Sequence, residues 1–292
     1  MTLAESTYNL TSQLKMKPNI PVQLARPDWL RVMRAALVPC ALVVGALVLV
    51  ATVVIGKQQQ RVGSSSLPAR RTALYIGDSL SVGKFGELLH DYLVATFGSR
   101  NVALYASCGS SPENWLRAEP TFFTKCGYRE QTPSRNMAID SRTHQATPKL
   151  DELVFRYRPT TAIVQLGTNW MDSPLPDARI RSILERFMDT IHTTANCRVV
   201  WIGPPDSSKF SRVQGRIYKL IQQNRRRGDI VIDSRRLTHY VPGKTGGDGI
   251  HYNSESSAAW AARVIDLLEQ VISKPRTAQV PAGKYASALS MD

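Results

Sequence analysis

The chain has 292 residues, 43% hydrophobic and 21% charged, a globular composition that excludes wholesale disorder and leaves room for one ordinary domain plus extensions. Its formal charge of +14 suits an anionic membrane, glycan or lipid surface. No helix-turn-helix, RRM or zinc-finger spacing accompanies that charge, so nucleic acid is not among the expected partners.

Residues 1–34 are polar and mixed, with Pro18, Pro21 and Pro27 interrupting any helical pattern, and read as a flexible arm. Residues 35–56 carry no charge, and about 20 apolar residues are enough to cross a bilayer as one helix. A transmembrane helix is therefore expected here. A cleaved signal peptide is the rival reading; the long stretch before the run and the lack of a small-x-small site after it oppose that reading. Arg31 and Arg34 precede the run while Lys57, Arg61, Arg70 and Arg71 follow it, so the positive-inside bias is slight. Residues 57–71, with three successive serines and Pro68, read as a linker.

Beyond the linker, strand and helix patterns alternate. Short apolar runs predict strands at 73–76, 102–105, 162–166, 199–202 and 230–232, and amphipathic periodicity predicts helices near 82–97, 177–194, 211–226 and 254–272. Five interleaved strands imply a largely parallel sheet covered on both faces. Residues 274–292 lose periodicity and read as a tail. One connection, 107–158, is abnormally long, which in a compact domain marks a functional or locally folded segment. It contains Cys108 and Cys126, and a disulfide between them would staple the loop and suit an oxidising compartment. Two reduced thiols are the alternative; zinc is disfavoured by the absence of a close Cys-x-x-Cys or Cys–His pairing. Trp115, Arg117, Phe122 and Phe123 in this loop, with Trp170, are the expected substrate contacts.

The residues that carry chemistry sit at strand ends. The run 73–76 stops at Gly77-Asp78-Ser79-Leu80, which presents a hydroxyl at the edge where open α/β sheets bind ligands. A serine becomes nucleophilic when a histidine held by a carboxylate takes its proton. Of five histidines, His251 stands after the last predicted strand, with Asp248 three residues before it and Gly249 allowing a tight turn between them. Gly109 and the carboxamide of Asn169, each just past a strand, can donate hydrogen bonds to a developing oxyanion. Gly243-Lys244-Thr245 is no phosphate loop, because Thr238 occupies the place of the required first glycine, and the Gly-x-Ser-x-Gly elbow is absent.

In order, Gly77-Asp78-Ser79-Leu80, Gly109, Gly167-Thr168-Asn169 and Asp248-Gly249-Ile250-His251 resemble the four blocks of the SGNH or GDSL hydrolase family. Gly203-Pro204-Pro205 is similar to a turn common in that family. The Gly109 block departs from the commoner form, reading Cys108-Gly109-Ser110-Ser111-Pro112. The resemblance implies a flavodoxin-like three-layer α/β/α fold over 72–273 and ester hydrolysis without cofactor or metal. By matching position it makes Ser79 the nucleophile, His251 the base and Asp248 its orienting partner. The Ser79 N–H, the Gly109 N–H and the Asn169 side chain become the oxyanion hole. The expected protein is thus a single-pass membrane esterase of a bacterial inner membrane, its catalytic domain facing the periplasm or cell exterior. Its substrate would be an acylated small molecule, glycan or lipid, an O-acetylated cell-surface carbohydrate foremost. An acyltransferase, a lipid or thioester hydrolase, and a non-catalytic binding module on the same scaffold are the alternatives.

Overall fold

A computed structural model of the chain describes residues 70–116, 120–140, 144–194 and 197–272. The expected arm 1–34, transmembrane helix 35–56, most of the linker, the tail 274–292 and Arg117 lie outside the described residues. Among the described residues, no helix is long and apolar enough to cross a membrane.

The first strand, β1 (Ala73–Gly77), is buried along its whole length, as an apolar run covered on both faces must be. A single helical turn, α1 (Ser79–Val82), follows, then α2 (Lys84–Phe97). Phe85, Leu89, Leu93 and Phe97 recur at helical spacing on α2, so one stripe faces the sheet. The chain continues through β2 (Val102–Ser107), the short α3 (Pro112–Leu116), β3 (Gly127–Thr132), β4 (Arg135–Asp140) and α4 (Leu150–Tyr157). It then runs through β5 (Thr161–Gln165), α5 (Asp177–Thr194), β6 (Arg198–Ile202), α6 (Gln214–Gln223), β7 (Ile230–Ile232) and α7 (Ser254–Ile272).

The sheet has seven strands in the order β4-β3-β2-β1-β5-β6-β7. Five of them, β2-β1-β5-β6-β7, are parallel and keep the doubly wound order of flavodoxin-type sheets. The expectation of a five-stranded parallel sheet is corrected by β3 and β4, an antiparallel hairpin that extends the β2 edge from within the long connection. Arg129, Glu130 and Gln131 interrupt any apolar run in β3, and the hairpin is held by pairing, by Tyr128, Met137 and Ile139 packed on the core, and by particular polar contacts. Arg129 Nε, for example, donates to the Val82 carbonyl across 2.7 Å. The same segment holds a Cys108–Cys126 disulfide, with Cα atoms 5.4 Å apart.

Alternate strand residues feed two cores. Leu74 and Ile76 pack with α4, α5 and α6 on one face, while Ala73 and Tyr75 pack with α2 and α7 on the other. On that second face the Phe85 and Trp260 rings stack with centroids 3.5 Å apart, joining α2 to α7. The chain leaving β1 thus goes to one face and the chain leaving β5 to the other. Between those adjacent strands a crevice opens at their carboxyl ends, the topological switch point where such sheets place ligands.

Candidate active site

Register sets the site's level. Gly77 pairs with both Ala106 and Gln165, so Ser79, Cys108 and Gly167 each lie two residues past the same rung of three neighbouring strands. Asp78 caps α1: its Oδ1 accepts the Leu80 N–H at 3.0 Å and stops the strand, leaving Ser79 at the mouth of the turn. Below it the buried Ser81 hydroxyl lies 2.7 Å from the Tyr75 hydroxyl and donates to Gln165 Oε1 at 2.7 Å. A Cβ at Gly77 would strike the Ser81 side chain, which is why this position is glycine. Asp78 is fully buried, and its desolvation pushes the carboxyl up to about 6 despite opposing help from Leu80, Thr168, His251 and Gln165. Its Oδ2 is buried without a hydrogen bond of good geometry; so are Gln165 Nε2 and Thr168 Oγ1, two donors that lower its pKa from close by.

The histidine arrives on a turn built by its own aspartate. Asp248 Oδ1 accepts the N–H groups of Ile250 (2.9 Å) and His251 (2.7 Å), and Gly249 sits between them at φ +82°, where an L side chain would be strained. The remaining oxygen, Oδ2, lies 2.5 Å from His251 Nδ1, and His251 Nε2 lies 2.9 Å from Ser79 Oγ. Burial opposes the charge on Asp248, but the imidazole and the two backbone donors outweigh it and hold the carboxyl down at about 2. An ionised carboxylate only accepts, so Nδ1 must carry the proton. Nε2 is then the bare nitrogen facing the Ser79 hydroxyl.

Side chains that carried no local signal brace this turn. The Tyr240 hydroxyl accepts the Gly249 N–H at 2.9 Å and donates to the His251 carbonyl at 3.4 Å, and Ser207 Oγ donates to the Gly249 carbonyl at 2.5 Å. A Cβ at Gly246 would collide with the His251 carbonyl. Asn253 closes the segment by capping α7 through the Ser256 N–H (2.9 Å) and donating to the Lys244 carbonyl (2.8 Å).

The two other strand ends are tied to each other. Asn169, on a 3₁₀ turn opened by Gly167 at φ +128°, donates through Nδ2 to the Ser110 carbonyl at 2.8 Å. One proton of that amide is thereby committed, and the second is available to a ligand. Gly109 adopts φ +81°, and a Cβ there would come within 2.8 Å of Lys125 Cδ. The aromatic expectations divide. Trp115 is fully buried with its indole N–H on Ser110 Oγ (3.2 Å), and Trp170 is buried with its N–H on Glu113 Oε2 (2.8 Å). Both hold the loop against the core and neither lines a cleft. Phe122 is half-buried, and Phe123 is 47% exposed. No group of residues suited to hold a metal occurs among the described residues.

The fold and the hydrogen-bonded chain from Asp248 through His251 to Ser79 define a serine-hydrolase arrangement at a doubly wound sheet's switch point. Solved structures similar to this chain include a peptidoglycan O-acetylesterase, 12% identical, covering 70% of this chain and 92% of its own, with a TM-score of 0.46. A carbohydrate esterase family 3 protein from Talaromyces cellulolyticus is 13% identical, covering 69% and 98%, with a TM-score of 0.48. A GDSL-like lipase from Bacteroides thetaiotaomicron is 10% identical, covering 69% and 89%, with a TM-score of 0.44. No protein-family model and no curated protein sequence matches the chain.

Proposed function

We propose that the protein is a membrane-anchored serine esterase of the SGNH type, removing a small acyl group, foremost O-acetyl, from a cell-surface carbohydrate. The observation that carries this reading is the unbroken hydrogen-bond chain Asp248–His251–Ser79; beside an ionised Asp248 the neutral imidazole keeps its proton on Nδ1 and can accept the serine proton on Nε2. His251 Nε2 takes the Ser79 proton as Oγ attacks the ester carbonyl. The tetrahedral oxyanion is met by the Ser79 and Gly109 N–H groups and the uncommitted Asn169 proton. His251 then hands its proton to the departing alcohol, and water repeats the cycle on the acyl-serine.

A small acyl group fits because Trp115 and Trp170 are buried, and among the described residues the large exposed apolar side chains are few: Phe123, Phe155, Val213 and Val241. Export is supported by the Cys108–Cys126 pair, which suits an oxidising compartment. Anchoring is supported by the uncharged run 35–56. The reading is tested with p-nitrophenyl esters of increasing acyl length. Turnover that is highest for acetate and abolished by Ser79→Ala supports it. Turnover that rises with acyl length contradicts the small-acyl part, and turnover that survives Ser79→Ala contradicts the mechanism.

A further inference from the structure

Beside Gly109 the surface opens into a recess of ≈ 470 Å³ lined by Phe123, Thr124, Lys125 and His144, a size suited to a small-molecule group. Its wall is fixed to the end of β2. The Lys125 N–H donates to the Cys108 carbonyl (3.1 Å), the Cys108 N–H donates to the Gly127 carbonyl (2.9 Å), and the disulfide joins Cys108 to Cys126. On its outer side the wall pairs with 145–147, through Thr124 N–H to the Gln145 carbonyl (2.9 Å) and Thr147 N–H to the Phe122 carbonyl (2.8 Å). A short backbone path therefore separates this recess from the glycine proposed to hold the oxyanion.

Its chemistry is mixed in a particular way. The Phe123 ring is exposed and meets the His144 imidazole edge-on, with centroids 6.0 Å apart at 80°. The Lys125 stem packs against Gly109 while its ammonium stands 5.8 Å from the Phe122 ring and makes no ion pair among the described residues. Among the described residues, no acidic side chain lines the recess. An aromatic face binds the C–H face of a sugar ring, and an unpaired ammonium attracts a carboxylate beside it. Among the described residues, a long acyl chain finds one apolar side chain here, Phe123.

Resting on the esterase reading above, we infer that this recess is a subsite for an acidic sugar, so that the substrate is an acylated saccharide carrying a carboxylate beside the esterified residue. Lys125 supplies the anion contact and Phe123 the ring platform. One exposed ion pair is worth up to about 1 kcal/mol, or roughly fivefold in binding.

The test compares O-acetylated oligogalacturonate with O-acetylated xylo-oligosaccharide of similar length and acetyl content, at low and high salt. Expected is a KM about fivefold lower for the acidic substrate at low salt, the gap closing at high salt. Lys125→Met keeps the stem over Gly109 and should erase the gap, whereas Lys125→Arg should preserve it. Equal KM values for the two saccharides in wild type, or a gap that survives Lys125→Met, overturn the subsite. Faster acyl release from anionic phospholipid vesicles than from either saccharide overturns it in favour of a lipid. The saccharide results would leave the esterase reading standing, and the vesicle result would leave its serine chemistry but not its carbohydrate substrate; no hydrolysis of any ester, p-nitrophenyl acetate included, would overturn both.

Discussion

Replacing Asp248 by Asn isolates what the carboxylate does for His251. The carboxylate accepts three hydrogen bonds, two from the backbone N–H groups of Ile250 and His251 on Oδ1 and one from His251 Nδ1 on Oδ2. An Asn side chain of the same shape keeps both backbone bonds through its oxygen, so the turn at Gly249 is retained. Its NH₂, however, donates toward Nδ1 and favours the tautomer with the proton on Nε2, which then cannot accept from Ser79. In triads with a buried aspartate the equivalent change lowers kcat by about 10⁴. Asp248 has 52% of its side chain exposed, so water competes for the imidazole and the expected loss spans about 10² to 10⁴. The assay is steady-state hydrolysis of p-nitrophenyl acetate with a thermal melt of the same samples. KM should stay near wild type, while Tm should fall modestly because the ionised carboxylate, held well below its ordinary pKa by His251 and two backbone donors, contributes stability at neutral pH. A kcat within about tenfold of wild type, with the fold intact, would refute the orienting role.

Three further outcomes follow from the same geometry. Asn169→Ala should lower kcat by about 10² to 10³ through loss of an oxyanion donor, with a small fall in Tm from the lost bond to Ser110, as read by kinetics and melts in parallel. Tyr240→Phe leaves the Gly249 N–H without its partner; about 1 kcal/mol is at stake, so kcat should fall up to about fivefold with KM unchanged. Stability should show two opposed acid limbs in urea titrations. Asp78, raised from 3.8 to about 6, holds a proton in the folded chain that the unfolded chain has released, so stability falls as pH rises across that window. Asp248, lowered to about 2, acts the other way: its contribution is present above pH 3.8 and is lost as pH falls toward 2. Asp78→Asn should remove the first limb and leave the second.

The five parallel strands were legible because each contains a short apolar run, buried throughout in β1 and β2 and half-buried at the β7 edge, and the runs at 73–76, 102–105 and 230–232 lie within the strands seen. The hairpin β3–β4 was not. Burial in β3 includes Glu130 as well as Tyr128, so its periodicity is masked by charge, and the strand is held by pairing with β2 and β4 and by Tyr128 in the core. The positions of Ser79, Asp248 and His251 were readable because a glycine, an acid and a hydroxyl or imidazole at a strand end leave few alternatives. Trp115 and Trp170 were misplaced because an aromatic in a loop or turn says nothing of the direction it faces; their indole partners Ser110 and Glu113 decide that. Tyr240 and Ser207 gave no sign at all, since both act on backbone atoms of a turn that only the folded chain brings to them.

The central claim is that Ser79 is an activated nucleophile, and a fluorophosphonate probe tests it without knowledge of the natural substrate. Wild-type protein should label at Ser79, as located by peptide mass mapping, and Ser79→Ala should not label. A well-folded wild type that resists the probe, or labelling that persists in Ser79→Ala, would contradict the account.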